Sequence, residues 1–304
     1  MLCKICNSQN TGISFISANT HGRYVFDPLA GFEVYHCQSC GVFFLGGITV
    51  NSEYYARYYL PDYYSSGVSG GLLNRALESF GKMVIHFKQS EILRYFKRSD
   101  NAKLKILDVG CGSGEFLANI SPDIFDKYGL EINPQGYEQC RRKQLKVVNK
   151  DIREAGFAPE SFDVITMWHV LEHSDQPYEL LKEARRILKG SGIIIVATPN
   201  TDSLGFRHGG KGWFHLDSPR HLILYNRHSL GFTLSKAGFR VENFKNIFYD
   251  FPLDLFWSLR KSGYKYLAYP LYPLFKFISG ETFLAVARKD WLKKTISINE
   301  VINE

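Results

Sequence analysis

The chain is expected to fold as an α/β protein around a doubly wound parallel sheet, with a small cysteine-bracketed module ahead of it. Three observations lead there. From Lys103 onward, strand-like apolar runs alternate with amphipathic helical stretches, the pattern of βα units whose strands lie parallel. A glycine-rich turn, VGCGSG from Val109 to Gly114, closes the first of those runs. Two Cys-x-x-Cys pairs, Cys3/Cys6 and Cys37/Cys40, stand in the first forty residues.

A length of 304 residues suits one large core plus an accessory module. Apolar residues at 45% and charged residues at 22% exclude a disordered, collagen-like or coiled-coil chain. The net charge of +7 favours anionic partners, whether phosphorylated substrates, RNA or an acidic membrane surface, without choosing among them. The start, MLCKICNSQN, lacks a basic stretch followed by an apolar one, and no run approaches the ~18–20 apolar residues of a spanning helix. Paired cysteines in such a chain argue against a disulfide framework, and the protein is expected to be cytoplasmic.

Residues 1–50 form the turn-rich cysteine module. Residues 51–100 are a connecting segment with paired tyrosines, a glycine-rich turn from Gly67 to Gly71 and a helix from Leu73 to Lys97. The main domain spans 101–290. Its strands KILDVG, KYGLEI, LKVVNKD, FDVITMW and GIIIVAT make at least five parallel ones, interleaved with the helical stretches SGEFLANI, one begun by Pro134, and PYELLKEARRILKG. In the last, Leu180, Leu181, Ala184, Ile187 and Leu188 follow helical spacing, and Gly190 is expected to stop it. A loop from Asn200 to Tyr225 precedes a helix (SLGFTLSKAG), a strand (FRVENFKNIF), an aromatic insertion at about 251–280 and a last strand (ETFLAVARK). Residues 291–304 are a tail expected to fray.

Gly110, Gly112 and Gly114, set between a strand and a helix, let a ligand approach the backbone closely. The dinucleotide pattern G-x-G-x-x-G fails because Glu115 stands at its last position, and no Lys-Ser/Thr pair follows to make a Walker loop. Glu131 ends the next strand, 21 residues after Gly110, where a carboxylate can accept both hydroxyls of a ribose. The ligand read from these residues is a nucleoside without a pyrophosphate. Asp151 and Ile152, in NKDI, are placed to meet an adenine amino group and cover the ring face.

On these residues the chain resembles the class I S-adenosylmethionine-dependent methyltransferases, from about Lys103 to Lys289. The resemblance implies a Rossmann-like seven-stranded methyltransferase sheet. It also implies a cofactor site in which Asp108, Gly110, Cys111, Gly112 and Gly114 lie beside the methionine part, Glu131 holds the ribose, Ile132 next to it is a further cofactor contact, and Asp151 and Ile152 meet the adenine. WHVLEHSDQP, Trp168 to Pro177, is similar to the HVLEH segment of small-molecule and lipid methyltransferases in this class and brings Trp168 and His169 to the cofactor. Glu172 and His173 lie further out, where they either line the site or orient the following helix.

Methyl transfer needs a nucleophile in line with an activated methyl, and a base where that nucleophile is a hydroxyl. Histidine suits the task, since its unperturbed pKa of ~6.5 lies near working pH. His169, His215 and His221 are the catalytic candidates, with His173 beside them. The loop GGKGWFHLDSPRHLILY, Gly209 to Tyr225, follows the fifth strand and collects Trp213, His215, Arg220 and His221 as substrate candidates, with Arg220 taken either to bind an anionic group or to pin the loop.

The pairs Cys3/Cys6 and Cys37/Cys40 present four thiolates, a set that suits a structural Zn²⁺ with no open position, a rubredoxin-type iron being the competing metal. YHCQSCGVFFL is similar to the N-terminal zinc-binding, zinc-ribbon-like modules of bacterial sugar C-methyltransferases and of methyltransferases associated with surface polysaccharides. Cys111 and Cys140 read most simply as packing residues. Between Phe251 and Phe277 lie nine aromatic residues, the cations Arg260, Lys261, Lys265 and Lys276, and Asp254 as the only acid. That mixture suits either a membrane interface or a packed wall of the active site.

The function expected is methyl transfer to a small molecule, sugar or lipid-linked saccharide, at oxygen in preference to carbon. An rRNA or tRNA methyltransferase is disfavoured because the module offers only Lys4, Arg23 and histidines as cations. A non-catalytic binding module is disfavoured by the intact glycines and Glu131.

Overall fold

The computed structural model describes residues 1–18, 31–59, 72–97 and 102–290. The Gly67–Gly71 turn, Arg23 and the tail from Trp291 lie outside the described residues.

The main domain is a seven-stranded sheet whose central members are β4 (Leu104–Val109), β5 (Phe125–Leu130), β6 (Lys146–Val148), β7 (Phe162–Trp168) and β8 (Leu188–Pro199). Two later strands, β10 (Phe239–Ile247) and β11 (Thr282–Lys289), extend it in the order β10-β11-β8-β7-β4-β5-β6. Pairing is parallel from β8 to β6, as the sequence predicts, while β11 runs antiparallel to both β8 and β10. The order reverses at β4, so the carboxyl ends of β4, β5 and β7 open onto one crevice.

Alternate residues of the strands feed two cores. Leu107, Ile165, Ile194 and Val196 pack under α5 (Pro177–Ile187) and α7 (Arg227–Lys236). Ile106, Val164, Ile193 and Ile195 face the opposite side, against Ile92 of α2 (Leu72–Leu93) and Phe116 and Leu117 of α3 (Glu115–Asn119). Helix α4 (Pro134–Arg142) begins where Pro134 predicts, with the Asn133 side chain accepting from the Gln135 and Gly136 amides.

One expected stop is corrected. Gly190 does not end α5, because Leu188 turns extended, buries its side chain and pairs with Phe162, placing Gly190 inside β8. Helix α2 likewise closes at Leu93, short of Lys97.

The cysteine module is a second sheet, β1 (Thr11–Ser17), β2 (Phe32–Cys37) and β3 (Phe43–Leu45), with α1 (Ser52–Tyr58) after it. Its fourth strand is β9 (Ile223–Leu224), supplied by the loop between β8 and α7 and paired antiparallel to β3. Ile5, Val42 and Phe44 share the core that lies under α5 and α7. The Tyr178 hydroxyl and the Lys236 ammonium both donate to the Ile5 carbonyl, at 2.7 and 3.2 Å. The module is thus bound to the main domain through Ile5, Val42, Phe44 and the expected substrate loop together.

The aromatic insertion folds as three short helices, α8 (Asp254–Leu259), which packs on α6 (Leu204–Gly209), α9 (Lys265–Ala268) and α10 (Tyr272–Ser279), with Leu255, Leu259 and Ala268 buried.

Candidate active site

The glycine turn after β4 is held by backbone geometry. Gly110 and Gly114 have φ of +66° and +77°, a region that side-chain-bearing residues enter at a cost. A Cβ on Gly110 would stand 2.7 Å from Val170 Cγ2, so the turn lies directly against the WHVLEH segment. Cys111 turns its thiol into the core, 3.9 Å from that of Cys140, and only its backbone belongs to the turn.

Glu131 is buried just beyond β5, where it accepts from the Gly112 amide at 2.7 Å and the Asn133 amide at 2.7 Å. The Asn149 amide group fastens the same corner by donating to the Glu131 and Ile132 carbonyls. Ile132 beside it is 48% exposed, whereas Ile152 is buried in the core and offers no face to a ligand. Asp151 lies three residues beyond β6 and its carboxylate pairs with Arg153 at 2.7 Å. Asp108 is buried at the end of β4, and burial pushes its pKa up to about 7 even though the Thr166 hydroxyl donates to it at 2.6 Å. These residues fit an adenosyl donor: glycine backbone for close approach, a carboxylate for paired hydroxyls, and an open isoleucine for a ring.

Beyond the turn lie the histidines. His169, at φ +57°, is clamped between two carboxylates, with Nε2 3.0 Å from Asp250 and Nδ1 3.2 Å from Glu172. Burial alone would discharge it, but Asp250 and Glu172 outweigh that and hold its pKa up at about 9. With a carboxylate facing each ring nitrogen, neither nitrogen is left open to take an acceptor's proton, an arrangement that does not support the base role expected of His169. Lys88 of α2 completes the group, 3.4 Å from Asp250 and 4.5 Å above the Trp168 ring.

His215 is buried and donates from Nε2 to Asp254 at 3.0 Å, while Lys276 donates to the other oxygen of Asp254 at 2.6 Å. Burial dominates and lowers the His215 pKa, which keeps the ring neutral at working pH. Phe251 stands between the two histidines, its ring centroid 5.2 Å from that of His169 and 5.1 Å from that of His215. His221 donates from Nδ1 to the His215 carbonyl at 2.7 Å, and burial pushes its pKa down to about 3.

Two other loop residues have internal partners. The Trp213 indole N–H donates to the buried Glu281 at 2.8 Å, and the Trp213 side chain is fully covered. Arg220 grips Asp217 through Nε and Nη2, at 3.0 and 2.6 Å. The anion expected beside Arg220 is this carboxylate, so pinning of the loop is the role its geometry supports. Sequence reasoning missed Lys88, Asp250 and Glu281. Asp254 was visible as the single acid of the insertion, and a lone carboxylate among aromatics and cations signals an internal partner.

A methyltransferase-domain family pattern matches residues 80–243, more than half of the chain. Relatives include a ubiquinone biosynthesis O-methyltransferase of Photobacterium profundum, 26% identical over 109 residues (34% of this chain, 46% of that protein). A demethylmenaquinone methyltransferase of Lactococcus lactis is 27% identical over 139 residues (41% of this chain, 55% of that protein). An uncharacterized protein of Methanocaldococcus jannaschii is 36% identical over 115 residues (38% of this chain, 49% of that protein). The chain spans about half or less of the length of such curated relatives. Among solved structures, a SAM-dependent methyltransferase from Archaeoglobus fulgidus, 20% identical, superposes with a TM-score of 0.48 over 72% of this chain and 100% of that one.

Proposed function

The chain belongs to the methyltransferase-domain family and is an S-adenosylmethionine-dependent methyltransferase; from that premise we propose that it methylates a hydroxyl of a small-molecule, sugar or lipid-linked saccharide acceptor. The observation that carries this reading is the buried His215–Asp254 pair set across Phe251 from His169.

The donor supplies a sulfonium-activated methyl group. The chain's part is to align and to move a proton. Gly110 to Gly114 bring backbone to the donor, Glu131 offers its carboxylate to the ribose hydroxyls, and Ile132 covers the ring. In neutral His215, Nε2 carries the hydrogen given to Asp254, which leaves Nδ1 as the nitrogen that accepts the acceptor's proton. Asp254, held anionic by Lys276, then stabilises the imidazolium.

The insertion supports an acceptor delivered from a lipid surface. Tyr266, Leu267, Leu271, Leu274, Phe277 and Ile278 are each more than half exposed, with Arg260 and Lys261 exposed beside them. Lys276, expected among those cations, is instead buried on Asp254. No helix of the described residues is long and apolar enough to cross a membrane, so the contact proposed is peripheral.

The four cysteines support a structural zinc. Their Sγ atoms all lie within 4.8 Å of one another, with Cys3–Cys40 at 3.6 Å and Cys6–Cys37 at 3.5 Å. A tetrahedron of thiolates at a Zn–S distance of ~2.3 Å has edges of ~3.8 Å, close to these separations.

The reading is tested by transfer of labelled methyl to nucleotide sugars and glycolipids, with bulk tRNA and rRNA as competing acceptors. Label in a saccharide hydroxyl supports it. Label confined to RNA, or bound to carbon, overturns the acceptor.

A further inference from the structure

We propose a second metal site, for a divalent first-row transition-metal ion, made by Glu172, His173 and His221 and separate from the four cysteines. One ligand atom from each of the three residues lies within 4.8 Å of the other two. They come from two segments, the turn Leu171–His173 after β7 and the loop before β9, and the Leu222 amide ties these together by donating to the Glu172 carbonyl at 2.8 Å.

The hydrogen bonds prepare both rings. His173 Nδ1 lies 3.0 Å from the Arg220 carbonyl and 3.0 Å from the Tyr59 hydroxyl, and His221 Nδ1 lies 2.7 Å from the His215 carbonyl. A carbonyl can only accept, so each Nδ1 carries the proton and each Nε2 keeps its lone pair. Metal-binding histidines are held in this way, with the ring N–H on a backbone carbonyl and the other nitrogen turned to the ion. The two rings cross edge to face with centroids 4.7 Å apart.

The second observation is at Glu172. Its side chain is completely buried, Oε1 faces His169, and Oε2 has no hydrogen-bond partner among the described residues. An ionised oxygen left bare in the interior is costly, and a cation beside it removes the cost. The Asp217 carboxylate, 3.9 Å from His221 Nε2, is too distant to hydrogen-bond to that nitrogen, and its charge is taken up by Arg220. Two imidazoles and one carboxylate suit zinc, cobalt, manganese or iron in the divalent state and leave coordination positions open. The ion would stand beside the His215 loop, with those positions available to oxygens of an acceptor. The binding claim itself does not depend on which acceptor is used.

The test is Co²⁺ titration of the full chain by calorimetry and visible spectroscopy. Wild type should take two equivalents, one with intense thiolate charge-transfer absorption and one with weak ligand-field bands alone. His173→Ala and His221→Ala should lose the second equivalent and keep the first. His173 is only half-buried, so its variant carries the test if His221→Ala misfolds, with circular dichroism as the check on folding. A wild type whose bound cobalt shows thiolate absorption only, or a non-thiolate equivalent that persists in His173→Ala, overturns the site.

Discussion

Asp254 accepts the Nε2 hydrogen of His215 at 3.0 Å, a bond that joins the aromatic insertion to the loop after the fifth parallel strand. The insertion therefore supplies half of the proposed base, and Lys276, two helices further on, sets its charge.

Replacing His215 with glutamine should lower kcat by roughly 10²–10⁴-fold, the range of a lost general base. Donor affinity should stay unchanged, because Glu131 and the glycine turn lie elsewhere. Asp254→Asn should lower kcat less, since His215 keeps its place and loses only the counter-charge. Isothermal titration with the donor beside single-turnover transfer separates the two effects. Unaltered turnover in His215→Gln would remove this residue from the chemistry.

Asp108 gives a pH dependence with a definite sign. Burial raises its pKa from 3.8 to about 7, so in the free chain the carboxyl favours folding while protonated. That contribution is complete below pH ~3.8 and is lost as pH rises through about 7. A cationic donor prefers the ionised carboxylate, so its affinity should rise with pH, by about tenfold between pH 6 and 8 if only the ionised form binds. Asp108→Asn should flatten that slope in a titration of donor binding at the two pH values. A slope that survives in the variant assigns the dependence to another group.

Gly110→Ala tests the contact between the turn and the WHVLEH segment. The left-handed backbone costs roughly 1–2 kcal/mol for an alanine, and the new Cβ would press on Val170 Cγ2 from 2.7 Å. The melting temperature should fall and donor binding should weaken. Adding Val170→Ala removes the clash and leaves the backbone strain, so it should recover part of the loss. A double variant no better than the single one would show that contact with Val170 is not the cause.

The central sheet was legible because βα alternation is a local property, written into runs such as KILDVG and FDVITMW. The glycine turn and Glu131 were legible for the same reason, since they stand at the ends of the adjoining strands β4 and β5. Three things were hidden. That Leu188 would turn extended against Phe162, leaving Gly190 in a strand, depends on pairing across the sheet. The clamp on His169 joins residues 81 positions apart, and neither Asp250 nor Lys88 sits in a motif. Completion of the cysteine module by Ile223 and Leu224 could not be read from two residues, too short a run for strand periodicity to register.

The outer face of the insertion should bind anionic vesicles. Its exposed apolar side chains would enter the interfacial layer, while Arg260 and Lys261 meet the headgroups. Flotation with phosphatidylglycerol vesicles at low salt should carry the chain upward, more weakly at high salt. Leu267→Ser with Phe277→Ser should reduce it without changing donor binding. Absence of flotation at low salt would leave the insertion as a wall of the site alone.

The cysteine module should control turnover from outside the donor cradle. The Leu45 amide donates to the Leu222 carbonyl at 2.9 Å, and Phe43 and Phe44 pair with Leu224 and Ile223. These residues adjoin Arg220 and His221, so order in the module is passed directly to the loop carrying His215. Zinc on four thiolates supplies roughly 10 kcal/mol to the folding of small modules. Removal of the proposed zinc would leave four thiol groups clustered with nothing to bridge them. Strong chelation, or Cys37→Ser, should therefore speed amide exchange at Phe44, Leu45 and Leu224 together. Turnover should fall with it by tenfold or more, while donor affinity, assigned above to Glu131 and the glycine turn, should stay near its original value. Full turnover alongside freely exchanging module amides would break the link argued from β9. Loss of donor affinity in step with turnover would instead mean that the module supports the whole domain.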